Sequence, residues 1–186
     1  MAQIQSNMWT ILQLILLVIV ISAAIAGASA APWLPTKPKD RAHLLDQLKL
    51  EPGQKIVDLG CGDGSMLFAV ARKFPGVICV GYDISLLPLV FGWIRKLLFF
   101  KKYRHVHIKF GNLFKQSVTD ADLVFIFLLS KSYPRLLEIL KRDLKDTAQV
   151  IVEAWPFPHH TPVKTLKEEK LLSIFIYTGK SLRHVE

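Results

Sequence analysis

Residues 55–64, KIVDLGCGDG, join a short apolar run to three glycines at alternate positions. The apolar run predicts a buried strand with Asp58 near its end, and the apolar spacing of residues 65–74 predicts a helix. A strand, a glycine turn and a helix open the nucleotide-binding type of α/β sheet. Because glycine has no Cβ atom, the turn can adopt positive φ and a ligand can lie against its backbone. The stretch therefore predicts a site for an adenosine-containing cofactor.

The spacing of the glycines separates two cofactor classes. The dinucleotide fingerprint G-x-G-x-x-G needs a glycine at position 65, where this chain has Ser65. The chain instead reads Asp-x-Gly-x-Gly-x-Gly, with Asp58 two residues before the first glycine. A second predicted strand, residues 77–82, leads into Asp83, whose carboxylate can accept hydrogen bonds from both ribose hydroxyls of an adenosine. Asp83 suits NAD as well as other adenosine cofactors, and a simple tight turn is the remaining alternative.

The pattern resembles motif I of the class I S-adenosylmethionine-dependent methyltransferases. The resemblance implies an α/β fold, a Rossmann-like and mostly parallel sheet of about six strands, and S-adenosyl-L-methionine as cofactor. It implies cofactor contacts from the glycine turn and from the turns after the second and third strands. Those residues are Asp58, Gly60, Cys61, Gly62, Gly64, Asp83, Ile84, Asn112 and Leu113. Asn112 stands where relatives usually have Asp, at the place that meets the adenine amino group.

The first 36 residues carry no charged side chain, and residues 8–28 are long and apolar enough to cross a bilayer as a helix. Small residues at positions 28–30 fit a signal-peptide cleavage site, but no Lys or Arg precedes Met8. Positive charges begin at Lys37, which favours an uncleaved single-pass anchor with the following domain on the cytoplasmic or equivalent inner face.

We therefore expect three segments along the chain. Residues 1–31 form the transmembrane anchor, residues 32–39 a stiff proline-rich linker, and residues 40–186 the methyltransferase domain. The expected partners are the lipid bilayer and a membrane-protein substrate.

The net charge of +9 would suit nucleic acid, a membrane surface or both. Nucleic-acid methyltransferases often carry an Asn/Asp-Pro-Pro-Tyr/Phe box after the fourth strand, whereas residues 128–131 read LLSK. We expect no nucleic-acid partner. Residues 86–103 are rich in Leu, Phe and Trp and carry only positive charges. They predict a crossover helix with its basic side chains facing water, or one that also rests on anionic lipid.

A proline-rich loop, residues 155–162 (WPFPHHTP), follows the fifth predicted strand at the edge where α/β sheets bind ligands. It is either a stiff turn or one wall of the substrate pocket. The expected wall residues are Trp155, Pro156, Phe157 and Pro158. His159 or His160 could take a proton from an amine acceptor, although adjacent loop histidines are as easily surface residues. His105 and His107 share a strand face without a third ligand, so we expect no metal.

The prolines before the domain and the loop at 155–162 resemble small single-pass methyltransferases related to the mitochondrial enzymes that methylate lysines of the ADP/ATP carrier and the ATP synthase c-subunit. The resemblance implies N-methylation of a lysine side chain in a membrane protein. Two alternatives stay open: an acceptor that is a lipid or a hydrophobic small molecule such as a quinone precursor, and a non-catalytic interaction module. Asp58, Asp83 and the three glycines argue against the module, which would not need them.

Overall fold

The computed structural model describes residues 2–31 and 33–183. These residues form six α-helices and seven β-strands that alternate through most of the chain. In chain order the elements are α1 (Ala2–Ser29), α2 (Pro38–Asp46), β1 (Lys55–Leu59), α3 (Ser65–Lys73), β2 (Ile78–Asp83), α4 (Leu86–Leu98), β3 (Val106–Phe110), β4 (Leu123–Ile126), α5 (Tyr133–Asp143), β5 (Gln149–Glu153), β6 (Lys164–Leu166), β7 (Ile174–Thr178) and α6 (Gly179–Arg183).

The strands form one sheet in the order β3-β2-β1-β4-β5-β7-β6. Strands β1 to β5 are mutually parallel, whereas β7 runs antiparallel to both β5 and β6. The expectation of a mostly parallel α/β sheet is confirmed. The seventh strand is β6, whose three residues are exposed or only half-buried and therefore show no apolar run in the sequence. The strand order reverses between β1 and β4, and the crevice at that point is where open α/β sheets bind ligands.

The sheet is covered on both faces. Alternate residues of β1 point to opposite sides, so Ile56 packs with α2, α3 and α4 while Val57 packs with α5 and α6. Parallel strands buried on both faces need apolar side chains on both, which explains the continuous apolar runs of β1 and β4.

Helix α1 is long and apolar enough to cross a membrane, by length and composition, and a signal sequence near an N-terminus would pass the same test. Its side chains are exposed along most of its length, but Ser22, Ala26 and Ala30 at its end are buried against the domain. The Ser22 hydroxyl accepts a hydrogen bond from the Leu86 N–H at 3.2 Å. Lys131 Nζ donates to the Gly27 carbonyl oxygen at 2.6 Å. The end of α1 is thus part of the domain surface.

The segment after α1 lies along the domain rather than standing off from it. The Thr36 hydroxyl donates to Glu153 Oε2 at 3.3 Å, a contact between residues 117 positions apart. Pro38 is the first residue of α2, where its missing N–H costs no helical hydrogen bond. Asp40 Oδ1 then accepts from the Leu172 N–H at 2.8 Å. These contacts hold the polypeptide that leaves α1 against the carboxyl edge of the sheet.

Candidate functional site

The glycine turn after β1 adopts the backbone that the sequence predicts. Gly60, Gly62 and Gly64 have φ values of +95°, +53° and +72°, a region that L-residues with a side chain rarely occupy. A Cβ atom on Gly62 would lie 2.6 Å from the indole ring of Trp33, so the residue has no room for a side chain. The turn therefore requires glycine for its conformation and for the close approach of Trp33.

Asp83, at the end of β2, joins the glycine turn to the start of α4. Its Oδ2 atom accepts from the Gly62 N–H at 2.8 Å and its Oδ1 atom accepts from the Ser85 N–H at 2.7 Å. A carboxylate offers about four lone-pair positions, so each oxygen can accept one further hydrogen bond. Asp83 is thus fixed in orientation and still able to bind a pair of hydroxyl groups.

Asp58 lies at the base of the same cleft and is only 3% exposed. Burial, and then the negative charges of Asp83 and Glu153, raise the pKa of Asp58 well above its ordinary value. A ligand that is positively charged or donates hydrogen bonds would stabilise the ionised form of this carboxyl group. The cleft therefore suits a cationic cofactor such as S-adenosylmethionine.

The cleft is partly open to solvent. Most of the residues expected to hold the cofactor line it together. They are Asp58, Gly60, Cys61, Gly62, Asp83, Ile84, Asn112 and Leu113. Gly64 does not line the cleft, and a Cβ atom on it would collide with the Ile108 side chain. The Asn112 side-chain oxygen accepts from the Phe114 N–H at 3.0 Å, which fixes the amide at the cleft edge.

The opposite wall of the cleft comes from residues that the sequence analysis assigned to the anchor and linker. The end of α1 and the extended segment after it supply eight lining residues. They are Ala26, Ser29, Ala30, Ala31, Trp33, Leu34, Pro35 and Thr36. The one sequence signal for this role is that the uncharged, apolar stretch continues past the helix as far as Thr36. The cleft is thus built jointly by the sheet and by the apolar N-terminal segment.

The loop after β5 is held by two buried tyrosines. Tyr133 Oη donates to the Trp155 carbonyl oxygen at 2.9 Å, and the Phe157 N–H donates to Tyr177 Oη at 3.0 Å. The Phe157 ring is 2% exposed and contacts both tyrosine rings, with centroid distances of 4.8 and 5.1 Å. Phe157 thus anchors the loop in the core, whereas the Trp155 side chain is 46% exposed.

The residues from Trp155 to His160 do not line the cleft. Pro156, Pro158 and His159 are exposed, and His159 has a φ of +57°. His160 is half-buried, with Nδ1 2.7 Å from the Pro158 carbonyl oxygen. Their roles in substrate binding and proton transfer stay predictions.

In the part of the chain that the structure describes, no three His, Cys, Asp or Glu side chains are grouped to hold a metal ion. The half-buried His105 ring accepts from Arg104 Nε at 2.8 Å through its Nε2 atom. Partial burial, and then the nearby Lys96 and Lys109, lower the pKa of His107. The histidine pair therefore has an environment of positive charge.

Comparison with known proteins places this site in a family. Residues 58–164 match the family model described as the ANTKMT methyltransferase domain. The lysine N-methyltransferase of the ATP synthase c-subunit from Homo sapiens is 32% identical over 160 residues, which cover 82% of this chain and 63% of that protein. A protein-lysine N-methyltransferase of Saccharolobus islandicus is 28% identical over 142 residues, covering 74% of this chain and 85% of the relative. The chain spans 54% to 63% of the length of the four ATP synthase c-subunit enzymes that it matches.

A solved structure supports the fold independently. The RNA methyltransferase from Salinibacter ruber, determined with S-adenosyl-L-homocysteine, superposes with a TM-score of 0.70 at 23% identity. The superposition covers 78% of this chain and 93% of that one. The family model matches more than half of the chain and includes Asp58, the glycine turn and Asp83. The chain therefore belongs to the ANTKMT methyltransferase domain family, within the class I methyltransferases that use S-adenosyl-L-methionine.

Proposed function

We propose that this chain is a membrane-anchored enzyme that transfers a methyl group from S-adenosyl-L-methionine to the side-chain nitrogen of a lysine in a membrane protein. The observation that carries the proposal is the shared cleft. One wall holds Asp58, Asp83 and the glycine turn, and the other is the end of an apolar helix together with Trp33. Relatives named as lysine N-methyltransferases of the ATP synthase c-subunit support lysine as the acceptor.

The position of the cleft follows from the anchor. If residues 3–29 span the bilayer, Ala26 and Ser29 lie near the end of the span and also line the cleft. The cleft then opens at the membrane surface, on the side where positive charges begin at Lys37. An acceptor lysine beside a membrane span reaches such a site without leaving the surface.

The sulfonium of S-adenosylmethionine supplies a methyl group that is already activated for transfer. The protein has to bind and orient the reactants and exclude water. Asp83 keeps lone pairs free for the ribose hydroxyls. Burial favours the neutral form of the Asp58 carboxyl group, and a cationic cofactor beside it would favour the ionised form. Trp33 and Leu34 cover the cleft with apolar surface. A lysine amine has a pKa of about 10.4 in water, and an apolar surrounding lowers that pKa and favours the reactive neutral form.

The experiment uses the full chain in lipid nanodiscs with methyl-labelled S-adenosylmethionine and membrane fractions. We expect the label in protein, released on acid hydrolysis as methyllysine, and lost with Asp83→Ala. The matched control Asp120→Ala changes an exposed carboxylate at the opposite edge of the sheet, where it pairs with Lys55, and should keep activity. Label in the lipid extract would instead support a lipid or small-molecule acceptor. Cofactor binding without any transfer would support the non-catalytic interaction module.

A further inference from the structure

Helix α4 is apolar on the side that faces away from the sheet. Its buried side is formed by Pro88, Leu89 and Gly92. The opposite side carries large apolar side chains that are 41% to 75% exposed: Leu87, Val90, Phe91, Ile94, Leu97 and Leu98. We call these six residues the outer face of α4. Their spacing of three and four residues makes one continuous stripe, at the place where a surface helix normally has polar residues.

Along the chain, the apolar stripe is flanked by positive charges only. Phe99 and Phe100, just after the helix, are 56% and 60% exposed and extend the apolar surface. Residues 84–119 contain no Asp or Glu. They contain seven basic residues: Arg95, Lys96, Lys101, Lys102, Arg104, Lys109 and Lys115. An apolar helix face with aromatic residues and flanking basic side chains is the composition of helices that lie at an anionic membrane surface.

The outer face of α4 is also next to α1. The hydrogen bond from the Leu86 N–H to the Ser22 hydroxyl ties the first turn of α4 to α1. Ile21 and Ile25, on either side of Ser22, are 48% and 54% exposed. The exposed apolar surface of α4 therefore starts beside the exposed apolar surface of α1.

We propose that the outer face of α4 lies in the lipid–water interface of an anionic bilayer, as a second membrane contact beside α1. This inference rests on the proposed anchoring by α1. A single spanning helix leaves the attached domain free to tilt and turn at the membrane surface. A second contact, starting where α1 meets the domain, removes that freedom and fixes the mouth of the cofactor cleft relative to the lipid. Acceptor lysines would then be presented in one orientation.

The test measures lipid contact rather than catalysis. The full-length variant Leu97→Cys is labelled at the new cysteine with a polarity-sensitive fluorophore and placed in nanodiscs of phosphatidylcholine and phosphatidylserine. The native Cys61 and Cys79 are buried and therefore label slowly. The matched control is Glu138→Cys, an exposed residue on α5, which packs on the opposite face of the sheet from α4. We expect blue-shifted emission and quenching by nitroxide lipids at position 97 and neither at position 138. A blue shift without lipid quenching would show that protein covers this face, and would overturn the inference.

A second label separates this inference from the proposed function. Ile11→Cys, in the middle of α1, reports whether the anchor is in lipid. Lipid quenching at position 11 without quenching at position 97 would leave the anchored enzyme intact and refute the α4 contact. Absence of quenching at both positions would refute the anchor and the inference together, while cofactor binding, measured separately by titration, would be unaffected.

Charge provides a further readout. Each basic side chain near an anionic surface raises partitioning about fivefold. Lys101→Glu/Lys102→Glu should therefore reduce lipid quenching at position 97 in nanodiscs that contain phosphatidylserine. The control Lys180→Glu, at an exposed position on α6, which packs on the opposite face of the sheet from α4, should leave it unchanged. Equal quenching in all three proteins would contradict the role assigned to the basic residues.

Discussion

Glu153 offers a quantitative test of the contact between the N-terminal segment and the sheet. Its side chain is fully buried at the end of β5. Its Oε2 atom accepts from Thr36, and its Oε1 atom has no partner in the part of the chain that the structure describes. Burial, and then the nearby Asp40, raise the pKa of Glu153 from 4.5 to about 7. The folded protein therefore favours the protonated form, and ionising this group with rising pH destabilises the fold.

The size of this destabilisation follows from the linkage between protonation of Glu153 and folding. Between pH 4.5 and 7 the folded state holds a proton that the unfolded state has released, so stability falls as pH rises through this window. At about 1.4 kcal/mol per pKa unit, the loss approaches roughly 3 kcal/mol above pH 7. Glu153→Gln keeps an oxygen for Thr36 and carries no charge. We expect the variant to be more stable than the wild type at pH 8 and nearly equal to it at pH 4.5.

Thermal unfolding of the full chain in detergent, followed by circular dichroism from pH 4.5 to 8, measures this difference. A gain of that size corresponds to a midpoint about 6–12 °C higher for a domain of this length. The control Glu138→Gln, at an exposed position on α5, should show no comparable gain. A variant that is less stable than the wild type at pH 8 would show that ionised Glu153 is held by favourable contacts, and that burial does not destabilise its charged form.

Three further predictions concern the cleft and are measured by calorimetric titration of the full chain with S-adenosylmethionine. Asp83→Ala should weaken binding roughly 100-fold or more, since each hydrogen bond to a charged group contributes about 1.5–3 kcal/mol; unchanged affinity would exclude Asp83 from the site. Gly62→Ala should weaken binding at least about tenfold, because φ is +53° and the new Cβ meets Trp33. Its control, Gly27→Ala, meets nothing within 4 Å and should bind normally. Trp33→Ala should raise the dissociation constant by uncovering the cleft, whereas equal affinity would make Trp33 a packing residue only.

The sequence alone predicts the part of the site that depends on the pattern of neighbouring residues. The apolar run before Gly60 and the helical spacing after Gly64 predict a strand, a turn and a helix, each determined by neighbouring residues. Asp83 is found because it ends the next apolar strand, and parallel strands end at the same edge of the sheet. Backbone conformation in the turn follows from glycine itself, as the three positive φ values show.

The other wall of the cleft depends on contacts between distant residues. Thr36 meets Glu153 across 117 positions, and Trp33 meets Gly62 across 29, so no local pattern reports either contact. The exposed stripe of α4 was open to two interpretations, because periodicity shows that a helix has apolar residues without showing which of them the sheet buries. The sequence suggested Phe157 as a wall of the substrate pocket because it is an aromatic residue in a loop at the ligand-binding edge of the sheet. In the structure its backbone N–H donates to Tyr177 Oη and its ring lies in the core, a position that no local pattern shows.

We propose a methyltransferase whose cleft is completed by its membrane anchor, and the position of the methylated residue in the acceptor protein is the most informative measurement. Peptide sequencing of the acceptor protein, after reaction with the full chain and labelled S-adenosylmethionine, locates the methyl group. Because Ala26 and Trp33 line the cleft, we expect methyllysine directly beside a membrane span of the acceptor. Methylation of lysines in soluble proteins, at rates unaffected by removing lipid, would exclude the proposed role of the anchor.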